Sequence, residues 1–278
     1  MLGHVVTLYF RSQPGFEVVD VARSKTPIGP SLIMDITNFE QLSSIYRSYQ
    51  PNVIINCIGL LNANADNNPA DAILANSYLP HFLEKITHDS NCYLIHISTD
   101  CVFSGSRGSY SEKDYMDGDG YYARTKALGE IQNNKDITIR TSIIGPELHA
   151  NGIGLFQWFS SSSGNIGGYE NVFWTGVTTI ELAKAIHHCI EARISGLYHM
   201  VNDQRISKLN LLRIFRNVFT KSAVKEIVPN TDKKYDKSLL NSRTDLAYVV
   251  PGYQQMVEEM RVWIDEHREL YPHYIDIL

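Results

Sequence analysis

No run of apolar residues approaches 18, so the sequence offers no transmembrane helix. The N-terminus lacks a basic region followed by an apolar one, which excludes a secretory signal of the usual kind. A cytoplasmic protein follows by default, with no membrane partner. Basic clusters are missing too. Lys and Arg number 25 against 30 Asp and Glu, for a net charge of −5. Nucleic acid is therefore a poor partner, because phosphate binding needs clustered cations. The four cysteines (Cys57, Cys92, Cys101, Cys189) have no metal-like spacing. Three sit in apolar or strand-like stretches, so reduced buried thiols are expected and no metal site. Global disorder is excluded, since 44% of the residues are hydrophobic.

What the sequence has is an alternation of strand-like and helix-like segments over its first two-thirds. Phe16–Val21 is a short β-rich run. Phe39–Tyr49 reads as a helix with Asn38 as N-cap. Asn52–Ile58 and Cys92–Ile97 are nearly continuous apolar runs, the pattern of buried parallel strands. Between them Pro69–Thr87 reads as a helix bent by Pro80. Gly120–Asn134 (helix), Ile137–Ile144 (strand), Thr178–Ala192 (helix) and Leu197–Val201 (strand) continue the series. Such βα alternation predicts an α/β fold with a Rossmann-type doubly wound parallel sheet. Ser160–Gly168 reads as a flexible loop. Ser207–Thr220 and Gln254–His267 read as helices joined by a polar stretch, Asn230–Asp245. The expected division is a nucleotide-binding domain of residues 1–145, continued by 172–203, and a small C-terminal substrate lobe of 146–171 and 204–278. That lobe should sit over the carboxyl ends of the strands, where open α/β sheets bind ligands.

The strongest chemical signal is Tyr122-Ala-Arg-Thr-Lys126. Residues four apart on a helix share a face, so the Lys ammonium is expected to favour the phenolate and lower the Tyr122 pKa toward neutrality. A Tyr so tuned can exchange a proton with a carbonyl or hydroxyl. The spacing alone is weak evidence. Sixteen tyrosines and twelve lysines in 278 residues give about 0.7 such pairs by chance. A surface Tyr lying over a Lys stem would look the same. Context raises the weight. Thr99, at the carboxyl end of the Cys92–Ile97 strand segment, is placed to hydrogen-bond the same oxygen as Tyr122, although it could also simply cap a turn.

The stretch STDCVFSG, then GSYSEKD and YYARTKALGE, resembles the dTDP-4-dehydrorhamnose reductase family of extended short-chain dehydrogenases. IMDITNFEQL, NVIINCIGL, ANSYLP, IRTSIIGP, GVTTIELAKAI and GLYHMVN follow the same order, so the resemblance runs to about residue 205. It implies that Thr99, Tyr122 and Lys126 are the catalytic triad, and that NADPH is the cofactor, with NADH as the alternative. It implies cofactor contacts at Gly3, Arg23, Asp35, Ile36, Ile58, Gly59, Asn76, Tyr122 and Lys126, and substrate contacts at Val102 and Phe103. The implied reaction is reduction of the 4-keto group of a nucleotide-activated deoxysugar, for cell-surface polysaccharide synthesis, in a chain that the resemblance allows to be a homodimer. A sugar-nucleotide epimerase and a non-catalytic NADP-binding regulatory subunit are the competing readings.

Three features depart from the family pattern. Cys101 stands where the rhamnose reductases carry Tyr, and Ile143-Ile144-Gly145-Pro146 where they carry Trp-Val-Tyr-Gly; both bear on the substrate more than on the reaction. Dehydratases on this scaffold need an acid at the position of Cys101, which counts against dehydration. Third, Met1-Leu2-Gly3 matches the end of the family's glycine-rich turn. The fold is therefore expected to lack its first strand, as in an N-terminally shortened chain, leaving a lane between Phe16–Val21 and Cys92–Ile97. Arg23 follows the second strand where NAD-preferring folds place an acid, so it is expected to read the second phosphate of NADPH, while Asp20 could reach the ribose instead.

Overall fold

The structure is a computed structural model and describes residues 1–219 and 224–278, without the Lys225 side chain. The first element is α1 (Leu2–Ser12), which buries Leu2, Val5, Val6 and Phe10 on one helical face. Two short strands, β1 (Val21–Ala22) and β2 (Leu32–Ile33), pair in parallel. Helix α2 (Phe39–Tyr49) begins at its expected cap, with Asn38 Oδ1 accepting from Gln41 N at 3.0 Å. Strand β3 (Val53–Asn56) leads into α3 (Asn62–Asn67), α4 (Pro69–Ala72), a π-helical turn (Ile73–Tyr78) and α5 (Leu79–Thr87). The expected disturbance at Pro80 takes the form of that π turn, which ends just before the ring whose missing N–H breaks the regular ladder.

Strand β4 (Tyr93–Thr99) is followed by a 3-10 turn (Asp100–Val102) and α6 (Gly120–Leu128). Strands β5 (Ile137–Thr141) and β6 (Ile143–Ile144), helix α7 (Leu155–Ser161) and strands β7 (Gly164–Trp174) and β8 (Val177–Thr178) come next. Helix α8 (Thr179–Ala192), strands β9 (Gly196–His199) and β10 (Ile206–Ser207), helix α9 (Lys208–Val218), strand β11 (Val224–Asp236) and helix α10 (Tyr253–Glu266) complete the series. Thr220, the last residue of one predicted helix, lies outside the described residues.

The central sheet is parallel, in the order β3-β4-β5-β9. Its middle strands are buried, with Ile95 in β4 and Ile137 and Ile139 in β5 in the core, and polar residues they carry, such as His96 and Arg140, are hydrogen-bonded within it. The pair β1-β2 shares no ladder with this sheet, and no empty lane adjoins β4, where the sequence placed one. Strand β3 pairs with β4 instead, and the sheet has β3 at one edge and β9 at the other.

The C-terminal part of the chain corrects the sequence reading in two places. Gly164–Gly168, expected to be a loop, opens the long strand β7, and half of the polar Asn230–Asp245 stretch belongs to β11. Strand β7 pairs in parallel with β11 and antiparallel with β10. An outer strand solvated on one side tolerates Lys, Asn and Asp, so polarity hides it from a hydrophobicity pattern. Among the described residues no helix is long and apolar enough to cross a membrane, and no cluster of His, Cys, Asp and Glu could hold a metal ion.

Candidate active site

Thr99 ends β4, the second strand of the central sheet, at its carboxyl edge. The chain turns sharply there. Thr99 Oγ1 accepts from Cys101 N at 3.1 Å and donates to Asp100 Oδ1 at 3.2 Å. Thr99 thus caps its turn and lies close enough to the half-buried Tyr122 side chain of the neighbouring helix to favour its phenolate.

Helix α6 carries Tyr122 and Lys126. Its start is held from outside, since Tyr121 N donates to Asp66 Oδ1 of α3 at 2.8 Å. Gly120, with φ of +82°, enters the helix through the left-handed region. The other end presses on the π turn: a Cβ at Gly129 would lie 1.8 Å from the Asn76 carbonyl oxygen, so only glycine allows the approach.

Burial, not the lysine, governs Tyr122. Desolvation raises its pKa, the nearby Cys101 and Asp100 add to that, and only Thr99 opposes. The sequence-based expectation of a phenol tuned toward neutrality is therefore overturned. The reason is where Lys126 points. Its Nζ turns toward the sheet, donating to Ile97 O at 2.7 Å and lying 3.3 Å from His96 Nε2. Burial brings the Lys126 pKa down to about 8, against the pull of Glu130 and Cys57.

The expected cofactor residues lie at the start of α1 and after strands β1, β2 and β3, except those on the π turn and α6. Gly3 sits in the first turn of α1, whose N-terminus has no side-chain cap, and a Cβ there would lie 3.8 Å from Cys57 Cβ. Ile58 N donates to Asn56 Oδ1 at 3.1 Å, and Ile58 and Ile36 pack against one apolar cluster. Gly59 is exposed. Arg23 is exposed beyond β1, and its charge helps hold the Asp35 carboxyl below its ordinary value, after the hydrogen bonds from Thr37. Asp20 is engaged by the Ser31 hydroxyl.

Three expected site residues differ. Asn76 is fully buried: its Oδ1 accepts from Leu60 N at 2.8 Å, and its Nδ2 donates to Leu60 O at 2.9 Å and Thr125 Oγ1 at 3.1 Å. It holds the loop after β3 against α6 and offers no surface to a cofactor. Val102 and Phe103 are also buried, in a cluster with Tyr110, Val201 and Leu239, because the 3-10 turn directs them inward. Phe103 stacks on Tyr110 with ring centroids 4.2 Å apart.

The sequence reading passed over two polar groups in apolar strands, Asn56 and His96, and the later Lys208. Asn56 Nδ2 lies 3.1 Å from His96 Nδ1, so Asn56, His96 and Lys126 form one buried chain. A lone His in CYLIHI and a lone Asn in NVIINCI were the available signals, since a polar group buried in an apolar strand must find a partner. Lys208, at the start of α9, lies over the Trp174 ring at 4.8 Å, and Asp100 and Cys101 are near enough to pull its pKa up against burial, which still brings it down to about 8.

Residues 4–245 match the family of RmlD substrate binding domains. A protein named probable low-salt glycan biosynthesis reductase Agl14, from Haloferax volcanii, is 26% identical over 74% of this chain and 73% of its own. A dTDP-4-dehydrorhamnose reductase from Aggregatibacter actinomycetemcomitans is 34% identical over 39% of each chain. The crystal structure of a dTDP-4-dehydrorhamnose reductase from Bacillus anthracis, in complex with NADP, superposes with a TM-score of 0.72 at 20% identity, covering 83% of this chain and 87% of that one. At that identity the last likeness speaks for the fold.

Proposed function

We propose, from the premise that this chain belongs to the RmlD substrate-binding-domain family, that it is an NAD(P)-dependent oxidoreductase reducing the 4-keto group of a nucleotide-activated deoxysugar. Its role would be the supply of a deoxysugar for cell-surface polysaccharide. The observation that carries the reading is the contact between Thr99 and Tyr122 at the carboxyl edge of the sheet, with Lys126 on the same helix as Tyr122.

The residues present fit a nicotinamide dinucleotide. The uncapped first turn of α1 offers free backbone N–H groups and the positive end of the helix to a pyrophosphate, with Gly3 leaving room for it. Arg23 offers a fork suited to a ribose phosphate, which favours NADPH over NADH. When bound, the nicotinamide supplies the hydride.

The protein's own groups handle the proton. Tyr122 keeps its proton because burial disfavours the phenolate, so it stands ready as the acid that a developing alkoxide needs. Thr99 lies within hydrogen-bond reach of Tyr122 and so of the same oxygen. The test is NADPH oxidation by the purified chain with a nucleotide-linked 4-keto-6-deoxysugar. Reduction consumes NADPH. Turnover of the sugar without net consumption would indicate an epimerase, and NADPH binding without turnover a regulatory subunit.

A further inference from the structure

Hydrogen-bond accounting in the buried chain beneath the sheet edge that carries Thr99 has one consistent solution. Ile58 N can only donate, and it faces Asn56 Oδ1 at 3.1 Å. That fixes the Asn56 amide, so its Nδ2 donates toward His96 Nδ1 at 3.1 Å. Nδ1 must then be the lone-pair nitrogen, and the ring proton of a neutral His96 sits on Nε2. That N–H faces Lys126 Nζ at 3.3 Å. An ammonium there would set donor against donor. A neutral amine can accept from Nε2–H while donating to Ile97 O at 2.7 Å.

Asn56, His96 and Lys126 are all buried, so water offers no escape from the conflict. We propose that His96 is a positioning residue: Asn56 fixes its tautomer, and its Nε2–H favours the neutral form of Lys126, turned into the sheet, over the ammonium while the active site is empty.

This role rests on the reductase reading, in which Lys126 serves the site. Burial lowers Lys126 and holds His96 well below its ordinary pKa, in line with two neutral bases in contact. The ionisable groups that bear on Lys126 are Glu130 and Cys57, which favour its charge, and His96; those that bear on His96 are Lys126 and His81. Glu130 is itself taken up by Arg140 and Ser98, which leaves Lys126 without a dedicated counter-ion there. Occupation of the site by a group that accepts from Lys126 Nζ would reverse the preference, and Lys126 could take up a proton and leave the histidine.

The experiment is nitrogen NMR on the full, cofactor-free chain labelled at histidine and lysine, with the His96 signals assigned by their absence in His96→Gln. The expected result is a Lys126 amine titrating near pH 8, and at about pH 9, where that amine is unprotonated, a neutral His96 protonated on Nε2. Asn56→Asp keeps an acceptor for Ile58 N but presents a carboxylate to Nδ1. It should move the His96 proton to Nδ1 and raise the Lys126 midpoint by about one pH unit or more. A parent His96 protonated on Nδ1, or a charged His96, overturns the assignment, and so does a Lys126 that stays charged above pH 9. None of these readouts needs a substrate. If the tautomer and titration are as expected and no keto-sugar nucleotide is reduced, the positioning assignment stands and the reductase reading falls.

Discussion

At the scale of single residues, Tyr122 and Lys126 stand in opposite states to those the i, i+4 spacing suggests. The phenol holds its proton and the amine is close to giving one up, because both sit in a poorly solvated edge where charge of either sign is disfavoured. In the cofactor-free chain no tyrosinate assignable to Tyr122 should form between about pH 6 and pH 9. The parent minus Tyr122→Phe absorbance difference measures this, and a transition near neutrality would restore the phenolate reading. Tyr122→Phe should also lower turnover on the order of 100- to 10,000-fold, the usual loss for a positioned acid, with NADPH binding intact. Activity within a factor of a few of the parent would remove Tyr122 from the chemistry. Arg23→Ala should weaken NADPH by roughly 1.5–3 kcal/mol and leave NADH nearly unchanged. Equal losses in calorimetric titrations with both cofactors would show that Arg23 reads no phosphate. The Tyr122–Lys126 spacing and the Thr99 position could be read from the sequence. The direction of the Lys126 side chain could not, because it depends on a histidine from a strand 30 residues away.

At the scale of elements, the sheet edge that carries Thr99 rests on a buried ion pair. Glu130 accepts from Arg140 Nε at 2.7 Å and Nη2 at 2.6 Å, and from Ser98 Oγ at 2.6 Å, so the residue before Thr99 is tied to β5 and to the end of α6. Arg140 also lies over the Phe103 ring at 5.2 Å. The π turn after α4 and the loop held by Asn76 fix the other side. Breaking one partner leaves a buried charge alone. Glu130→Gln and Arg140→Met should each cost roughly 3–5 kcal/mol in denaturant unfolding, since each leaves the partner's charge buried and unpaired. A loss under about 1 kcal/mol for Glu130→Gln would mean that the pair carries no load. Helices were legible because their caps and apolar stripes are local: Asn38, Thr178 and Ser207 all cap as their residue types suggest. Strand β11 was not, because its partner β7 lies some 60 residues earlier and its sequence is that of an outer strand.

For the whole molecule, several imidazoles are folded in as neutral rings. His4 bonds Tyr271 Oη at 2.8 Å, and burial with the nearby amino terminus brings its pKa down to about 3. His199 is brought down to about 4 by burial, against the attraction of Glu112. A histidine whose folded pKa is depressed binds more protons unfolded than folded over that interval. Its stability contribution is complete above about pH 6.5 and is lost as the pH falls through 6.5 toward 4. The melting temperature should thus drop steeply between pH 7 and pH 4, and His4→Gln should flatten the drop; an unchanged slope would place the acid sensitivity elsewhere. The reductase reading is a proposal about the whole chain. Its most direct test is the stoichiometry of NADPH consumption with a nucleotide-linked 4-keto-6-deoxysugar. The account predicts equal amounts of NADPH oxidised and sugar reduced, with both lost in Tyr122→Phe; NADPH bound without being consumed, or sugar turned over without consuming it, would contradict the account.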